Sequence, residues 1–429
     1  MRTCVAALAT ALLLASAPAA AETVVITHAR AVTMTDGGTL DDATIVIRDG
    51  KIAAVGTETD APDDARVIDA GGRFVTPGLT NSLTRLGLVE VGNAEDTVDH
   101  AQGAQGYGIA FDVQYGINAA SVAIPIARAE GLTRAVAAPS SQTGTPFLGF
   151  GAGLRLLPGS DILDRPKIAL FAAVGGGTTG EGDRSRSAEW QMIRRAFDEA
   201  RAQGSFLRVF RSRPGGEQFL RQIDVEALQP VLKGEIPLAL SVHRESDIRE
   251  AVRLADDYGI RVILVGAAEA WRVADLLAAR NIPVVIDPAD NLPTSFDQMG
   301  ARRDNAAMLH EAGVTIAFFN SGINMTYHAG ASPRESAGIA VANGLPWDAA
   351  LAALTRNAAK IWGMADAGVI AAGHAADLVI WDGDPLEVTS APVEVIVGGT
   401  PVSLKTRETE LRDRYHPKNR NSGLPPAYR

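Results

Sequence analysis

Seven histidines are the side chains best placed to move protons or hold a metal at neutral pH, and their spacing restricts both uses. They stand at His28, His100, His243, His310, His328, His374 and His416. No two are two residues apart, and no His-Glu-x-x-His occurs, so no short metal-binding motif is present. The single cysteine, Cys4, lies in the apolar N-terminal stretch, so the rest of the chain has no thiol nucleophile, disulfide or cysteine–zinc site. No Gly-x-Ser-x-Gly occurs, and with it goes the serine of an α/β-hydrolase. Gly175–Gly180 spells a dinucleotide pattern after a candidate strand, but Glu181-Gly-Asp183 follows where a helix should open, so it reads as a loop. Gly149-Phe-Gly-Ala-Gly153 lacks the third glycine at the right offset, and no Gly-Lys-Ser/Thr exists to cradle a phosphate. The tryptophans at 190, 271, 347, 362 and 381 read as core or interface anchors.

The elements that position these residues fall into two styles. Residues 23–75 read as β: Thr23–Thr27 and Ala43–Ile47 are rich in Val, Ile and Thr, and Asp36-Gly37-Gly38, Asp49-Gly50 and Gly71-Gly72 are turn signals. The same style returns at Ala376–Trp381 and Pro392–Val397, so one sandwich assembled from both ends is expected. Between them strand and helix alternate. Ile236–Val242, Arg261–Val265, Ile282–Ile286 and Val314–Phe319 are apolar strand runs. Ser246 is a candidate N-cap for a helix whose apolar face is Ile248, Ala251, Val252 and Ala255. Ala270, Val273, Ala274 and Leu277 stripe the next. That rhythm indicates βα units and a parallel sheet. Earlier strand candidates are Phe74–Pro77, Ala119–Ala123, Arg134–Ala138, Lys167–Val174 and Ser205–Phe210. Pattern alone allows either an eight-stranded barrel or a doubly wound open sheet. Residues 139–187 include long Gly- and Ser-rich pieces, read as an active-site loop or a disordered insertion.

The N-terminus has the order of a secretory leader. Arg2 precedes the apolar run Val5–Ala15, and Ala19-Ala20-Ala21 forms a small-residue cleavage site before Glu22. The run is too short to span a bilayer. A periplasmic or secreted protein is therefore expected. Removing residues 1–21 takes away only Arg2 and moves the net charge from -10 to -11. An acidic surface argues against nucleic acid, and no polybasic patch offers itself to anionic lipid. A small-molecule substrate or ligand is the expected partner, with no membrane insertion once the leader is gone. Homo- or hetero-oligomers stay open. About 400 mature residues suit a large α/β domain plus a smaller module.

Three blocks resemble the imidazolonepropionase-like branch of the amidohydrolase superfamily. They are Ile47–Gly56 followed by Val75–Leu79; Val242–Asp247 through Val262–Gly266 to Ile282–Val285; and Gly344-Leu345 through Thr355–Ala359 to Ile370–Val379. The resemblance implies an α/β fold, a distorted (β/α)8 TIM-like barrel over 76–365. A small composite β-sandwich of 22–75 plus 366–429 would flank it. It also implies hydrolysis by metal-activated water at an amide, imide or related carbon. The family's ligands are a His-x-His on the first strand, a histidine on each of the fifth and sixth, and an aspartate on the last. Here Leu83 and Arg85 fall on the His-x-His, Val265 or Gly266 on the sixth-strand histidine, and Ser321 on the aspartate. His243 is the only retained ligand. One histidine with neutral oxygens is a poor zinc site, so no cofactor is assigned; a single divalent ion such as zinc is what the family would bring.

At a strand's C-terminal end His243 is the candidate catalytic residue, as a general base or substrate-binding group, set against an inherited core histidine satisfied by a neighbour. Arg85, Asn81, Asn320 and His328 are candidate substrate-binding residues. Arg85 would grip a carboxylate or serve a structural ion pair. Asn81 and Asn320 equally suit turns or caps, and His328 a solvated loop. The other histidines are given no role. Two functions follow. One is a secreted hydrolase of carbon–nitrogen bonds other than ordinary peptide bonds, with a reduced or absent metal site. The other is a non-catalytic barrel that binds a small ligand or pairs with an active relative.

Overall fold

The computed structural model describes residues 23–416, apart from 61, 63–64, 102–106, 141–144, 160, 176–184 and 204–219. The leader, the strand expected at Ser205–Phe210 and most of the Gly175–Gly180 run lie outside the described residues.

The N-terminal strands are β1 (Val24–Val32), β2 (Thr39–Arg48), β3 (Lys51–Gly56), β4 (Arg66–Asp69) and β5 (Phe74–Pro77). Next come β6 (Leu79–Thr84), β7 (Leu132–Ala137), β8 (Phe147–Arg155), β9 (Leu163–Ala173), β10 (Leu238–Val242), β11 (Val262–Gly266), β12 (Val284–Ile286) and β13 (Ile316–Phe318). The C-terminal strands are β14 (Leu378–Trp381), β15 (Pro392–Val397) and β16 (Thr400–Pro401).

Both ends of the chain meet in one sheet, in the order β16-β15-β14-β5-β1-β2-β3 with β4 on β1. The join is β14 against β5, antiparallel, with Val379 opposite Thr76. Asp49 and Gly50 turn β2 into β3 because both take left-handed φ, 50° and 73°, as a tight two-residue hairpin requires. Phe74–Pro77, expected among the barrel strands, belongs to this sheet, and the first barrel strand is instead β6.

The middle of the chain forms a second eight-stranded sheet running β6 to β13 in chain order. It is a nearly closed barrel: β13 returns alongside β6 without a shared ladder. The expectation of an all-parallel sheet needs correction at one place. β8 is antiparallel to both β7 and β9, while every other neighbouring pair is parallel. The segment 139–187, whose Gly- and Ser-rich pieces read as an active-site loop or a disordered insertion, thus holds β8 as well as all of β9, which the strand candidate Lys167–Val174 matches. Its glycines misled the reading. Gly151 and Gly153 sit mid-strand where a Cβ would strike Phe171 and Ile168, so they make room for barrel packing rather than mark a turn. Ala119–Ala123, expected as a strand, is a turn entering helix α1 (Ala123–Ala129).

Side chains pointing into the barrel form a core of their own, including Leu83, Val136, Phe171, Ile263, Val265, Val285 and Phe319. Trp362 stacks on Phe171, ring centres 5.9 Å apart. Outside lie α2 (Arg186–Gln203), α3 (Gln222–Leu232), α4 (Glu245–Tyr258), α5 (Ala274–Ala279), α6 (Asn305–Glu311), α7 (Ala331–Ala342), α8 (Trp347–Ala353) and α9 (Arg356–Ile361); α10 (Arg407–Tyr415) follows the terminal sheet. The α4 stripe packs as its spacing predicts, with Ile248, Ala251 and Val252 buried. Its N-cap is Arg244, not Ser246, and no side-chain cap forms there. Glu269 supplies the missing acceptor, taking the Glu245 N–H at 2.8 Å.

A buried charge network ties the terminal sheet to the barrel. Arg134 on β7 is 1 % exposed and reaches Asp377 (3.0 Å), Asp164 (3.1 Å) and Asp366 (3.2 Å). Arg155, the last residue of β8, joins it through Asp377 at 2.7 Å.

Glu130 makes a different contact. Its carboxylate faces the start of α7 and accepts the Ala331 N–H at 2.9 Å. Burial pushes this carboxyl up to about 7, with the Ala331 hydrogen bond opposing. The folded state therefore holds its proton more tightly than the unfolded chain does. The sign follows: stability is unaffected by this group below about pH 4.5, and a cost grows as pH rises towards 7. Glu130→Gln keeps an acceptor for Ala331 without the charge. It should raise stability at pH 8 by about 1–2 kcal/mol and change nothing at pH 4.5, in paired unfolding titrations. Equal gains at both pH values would refute the assignment.

Candidate active site at the barrel mouth

The C-terminal ends of β10 to β13 surround a cavity of about 200 Å³, lined among others by Leu83, His243, Gly266, Asp287, Asp290 and Ser321. Strand ends point catalytic groups into such a mouth. His243 follows β10 directly, its backbone fixed by the Glu269 N–H at 2.9 Å. Its ring lies against Gly266: a Cβ there would be 2.6 Å from His243 Cε1. Gly266 has φ +81°, and Ala267 after it also takes a left-handed φ, 42°. For alanine that conformation costs about 1–2 kcal/mol. It is held by the Ala267 N–H donating to Val242 at 2.7 Å and by Asn305 Nδ2 donating to the Ala267 carbonyl at 3.3 Å. Backbone strain maintained this way concentrates at functional sites.

Burial pushes the His243 imidazole below its ordinary range, although the Asp297 and Asp247 carboxylates pull the other way. Those carboxylates are already engaged, Asp297 by Arg244 at 2.7 Å and Asp247 by Arg186 at 2.9 Å and by Trp190 Nε1 at 3.2 Å. His243 Nδ1 is buried and has no hydrogen-bond partner. A neutral ring with a free nitrogen suits a proton acceptor.

The remaining expected residues distribute as follows. Leu83 and Ser321 line the cavity, and Val265 and Gly266, the alternatives for one position, stand together in its wall, so three of the four replaced ligand positions converge here. Arg85 does not line it. Its Nε is buried without a partner and it forms no ion pair among the described residues. His100, given no role from sequence, lies beside it. Burial and the Arg85 charge lower the His100 imidazole to about 4, and its Nδ1 is 2.8 Å from Ser140 Oγ. Asn81 is fully buried, donating to the Ala329 carbonyl at 2.8 Å and accepting from Leu83 N–H at 3.1 Å. Asn320 donates to Ser336 Oγ at 2.7 Å. His328 is exposed.

Sequence reasoning overlooked Asp287 and Asp290. Asp287 follows β12 directly, and its Oδ2 accepts both the Ser321 N–H (2.9 Å) and Ser321 Oγ–H (3.0 Å). Burial raises the Asp287 carboxyl, with the Ser321 and Ala289 N–H groups and the Ser321 hydroxyl opposing. Burial and the Asp287 charge raise Asp290 as well. The signal was available: a carboxylate immediately after the apolar run Ile282–Ile286 occupies a strand's C-terminal end.

Comparison with known proteins agrees with the barrel fold. A model of the amidohydrolase family matches residues 320–403. The imidazolonepropionase of Maricaulis maris is 27% identical over 408 residues, covering 86% of this chain and 94% of that one. The amidohydrolase tasK of Hapsidospora irregularis is 25% identical over 80% of this chain, which spans only 38% of that longer protein. An amidohydrolase from Thermotoga maritima superposes with a TM-score of 0.77 at 25% identity, covering 89% of this chain and 99% of its own. Along most of its length the chain is thus similar to the amidohydrolase superfamily, and to imidazolonepropionases within it.

Proposed function

We propose that the protein is a secreted hydrolase of carbon–nitrogen bonds other than ordinary peptide bonds, working with a reduced or absent metal site. The observation that carries this reading is His243, a neutral imidazole with an unpartnered buried Nδ1 at the C-terminal mouth of a family barrel. The leader-like order of Arg2, Val5–Ala15 and Ala19-Ala20-Ala21 supports secretion. In the same reading, the sheet from both termini is the family's composite sandwich.

A family-type metal does not fit the side chains present. Leu83 offers no donor, Gly266 has no side chain, Ser321 presents a neutral oxygen already committed to Asp287, and Arg85 is cationic. Among the described residues no three His, Cys, Asp or Glu side chains group to hold an ion. The chemistry is therefore assigned to the chain's own groups. The cavity walls, Leu83, Val265 and Phe319, exclude bulk water from the acyl group, and His243 moves the proton.

His243→Ala should abolish turnover of a panel of cyclic amides, imides and dipeptide-like substrates, a loss of about 10²–10⁴ in kcat/KM. Zinc or manganese added to the wild type should bring no gain, and elemental analysis should find no stoichiometric metal. Full activity in the variant, or activity that appears only with bound metal, would refute this mechanism. No turnover anywhere on the panel would favour a non-catalytic ligand-binding barrel, which the replaced ligand positions also suit.

A further inference from the structure

The carboxylate that the family carries at the end of its last strand is replaced here by Ser321, yet the cavity is not without one. Asp287, at the end of the neighbouring strand β12, faces the same space. Resting on the hydrolase reading above, we infer that Asp287 is the group that takes the proton from the attacking water, and that Ser321 positions it. Two bonds from Ser321 fix Oδ2, at 2.9 and 3.0 Å. The Ala289 N–H fixes Oδ1 at 3.0 Å. Asn320 Nδ2 adds a long contact at 3.4 Å.

All these donors are neutral. Asp287 has no ion pair among the described residues, unlike Asp247 and Asp297 behind His243. A carboxylate held only by neutral donors is oriented without being locked in its charged form by a cation. The titratable and charged groups that share its cavity are His243, Asp290, Arg302 and Arg303. Asp290 is occupied by Gln298 Nε2 at 3.0 Å, and Arg302 by Asp304. Arg302 and Arg303 are permanent cations that exchange no proton, so Asp287, after β12, and His243, after β10, are the proton-handling groups of this cavity, with β11 between them.

The step balances within the substrate and one water. The water oxygen bonds to the acyl carbon as Asp287 accepts one of its protons. The carbon–nitrogen bond then breaks, and that same proton passes from Asp287, directly or relayed through His243, to the departing nitrogen. A carboxylic acid and an amine result, or one ring-opened amino acid from a cyclic amide. No oxidant, reductant or second reactant is consumed.

The test uses the full mature protein with hydantoin, glutarimide, dihydrouracil and p-nitrophenyl acetate as probes. Asp287→Asn should lower kcat/KM by about 10²–10⁴ while KM changes little. Ser321→Ala should lower kcat by a smaller factor and move the acid limb of the pH profile upward, because two donors that favour the carboxylate become one. Should the Asn variant fold poorly, Asp287→Ala with added formate should recover part of the lost rate, which a structural role would not permit. Wild-type turnover in Asp287→Asn, alongside loss in His243→Ala, would overturn this inference and leave the hydrolase reading standing. An acyl group trapped on Ser321 by mass spectrometry would overturn the water route. Failure of the wild type on every probe would remove both.

Discussion

Arg134→Met is expected to lower the stability of the protein by about 3–5 kcal/mol, the largest stability effect of any substitution considered. Burial alone would depress this guanidinium, but Asp377, Asp366 and Asp164 more than offset it and raise its pKa. Removing the cation leaves Asp377, itself 6 % exposed, with Arg155 as its remaining ion-pair partner. The loss is therefore larger than the worth of any one pair, because a buried carboxylate is left with one cation where it had two. Asp377 also accepts the Gly398 N–H at 2.8 Å, so the disturbance reaches the turn after β15. Chemical unfolding of wild type and variant at pH 7 measures the effect. A cost below about 1 kcal/mol would mean that water enters the interface and solvates the carboxylates. Because Arg134 is on β7 and Asp377 immediately precedes β14, the variant should also loosen the terminal sheet before the barrel, visible as earlier amide exchange in β14 and β15.

The second large effect is on activity. Gly266→Ala places a Cβ 2.6 Å from His243 Cε1 and 3.2 Å from both ring nitrogens. No van der Waals contact survives at that distance, so the imidazole must leave its position. The left-handed φ of +81° adds a backbone cost of about 1–2 kcal/mol. The fold tolerates this, since the ring is the end of a side chain and can swing aside. Catalysis does not, because displacing a proton-transferring group by an ångström costs on the order of 10²-fold. Gly266→Ala should therefore approach the activity of His243→Ala while remaining folded. In the double variant the clash is absent, so its activity should match His243→Ala alone. Undiminished turnover in Gly266→Ala would show that the ring's position does not matter to the reaction.

Much of the barrel could be read from residues, and the reasons it could are specific. Ile236–Val242 and Ile282–Ile286 are apolar runs bounded by polar turns, which only a doubly buried strand explains in an alternating α/β pattern. The α4 stripe worked because Ile248, Ala251 and Val252 recur at helical spacing. β8 failed because Gly149, Gly151 and Gly153 look like loop punctuation. Their meaning depends on Phe111, Phe171 and Ile168, residues that approach only in three dimensions. Ser246 failed as a cap because a distant carboxylate, Glu269, took over the task. At the site, three of the four replaced ligand positions, all but Arg85, do gather in one cavity. Asp287 was missed because attention followed positions where the family has ligands. A carboxylate one strand over, recruited through Ser321, has no counterpart in that pattern. The Arg134 network was likewise beyond sequence reasoning, since its three partners, Asp164, Asp366 and Asp377, lie far from it along the chain.

The reversed direction of β8 has a consequence for how the molecule assembles. β7, β8 and β9 form a meander whose ladders join residues close in sequence, whereas bringing β6 beside β13 closes nearly the whole domain into a ring. Chain closure over short spans sacrifices less entropy. The meander is thus the natural seed from which the barrel grows, and its far end, Arg155, delivers the seed directly to Asp377 and the C-terminal strands. A chain emerging N-terminus first would hold that seed ready, with its docking charge exposed, until the last strands arrive to complete the terminal sheet.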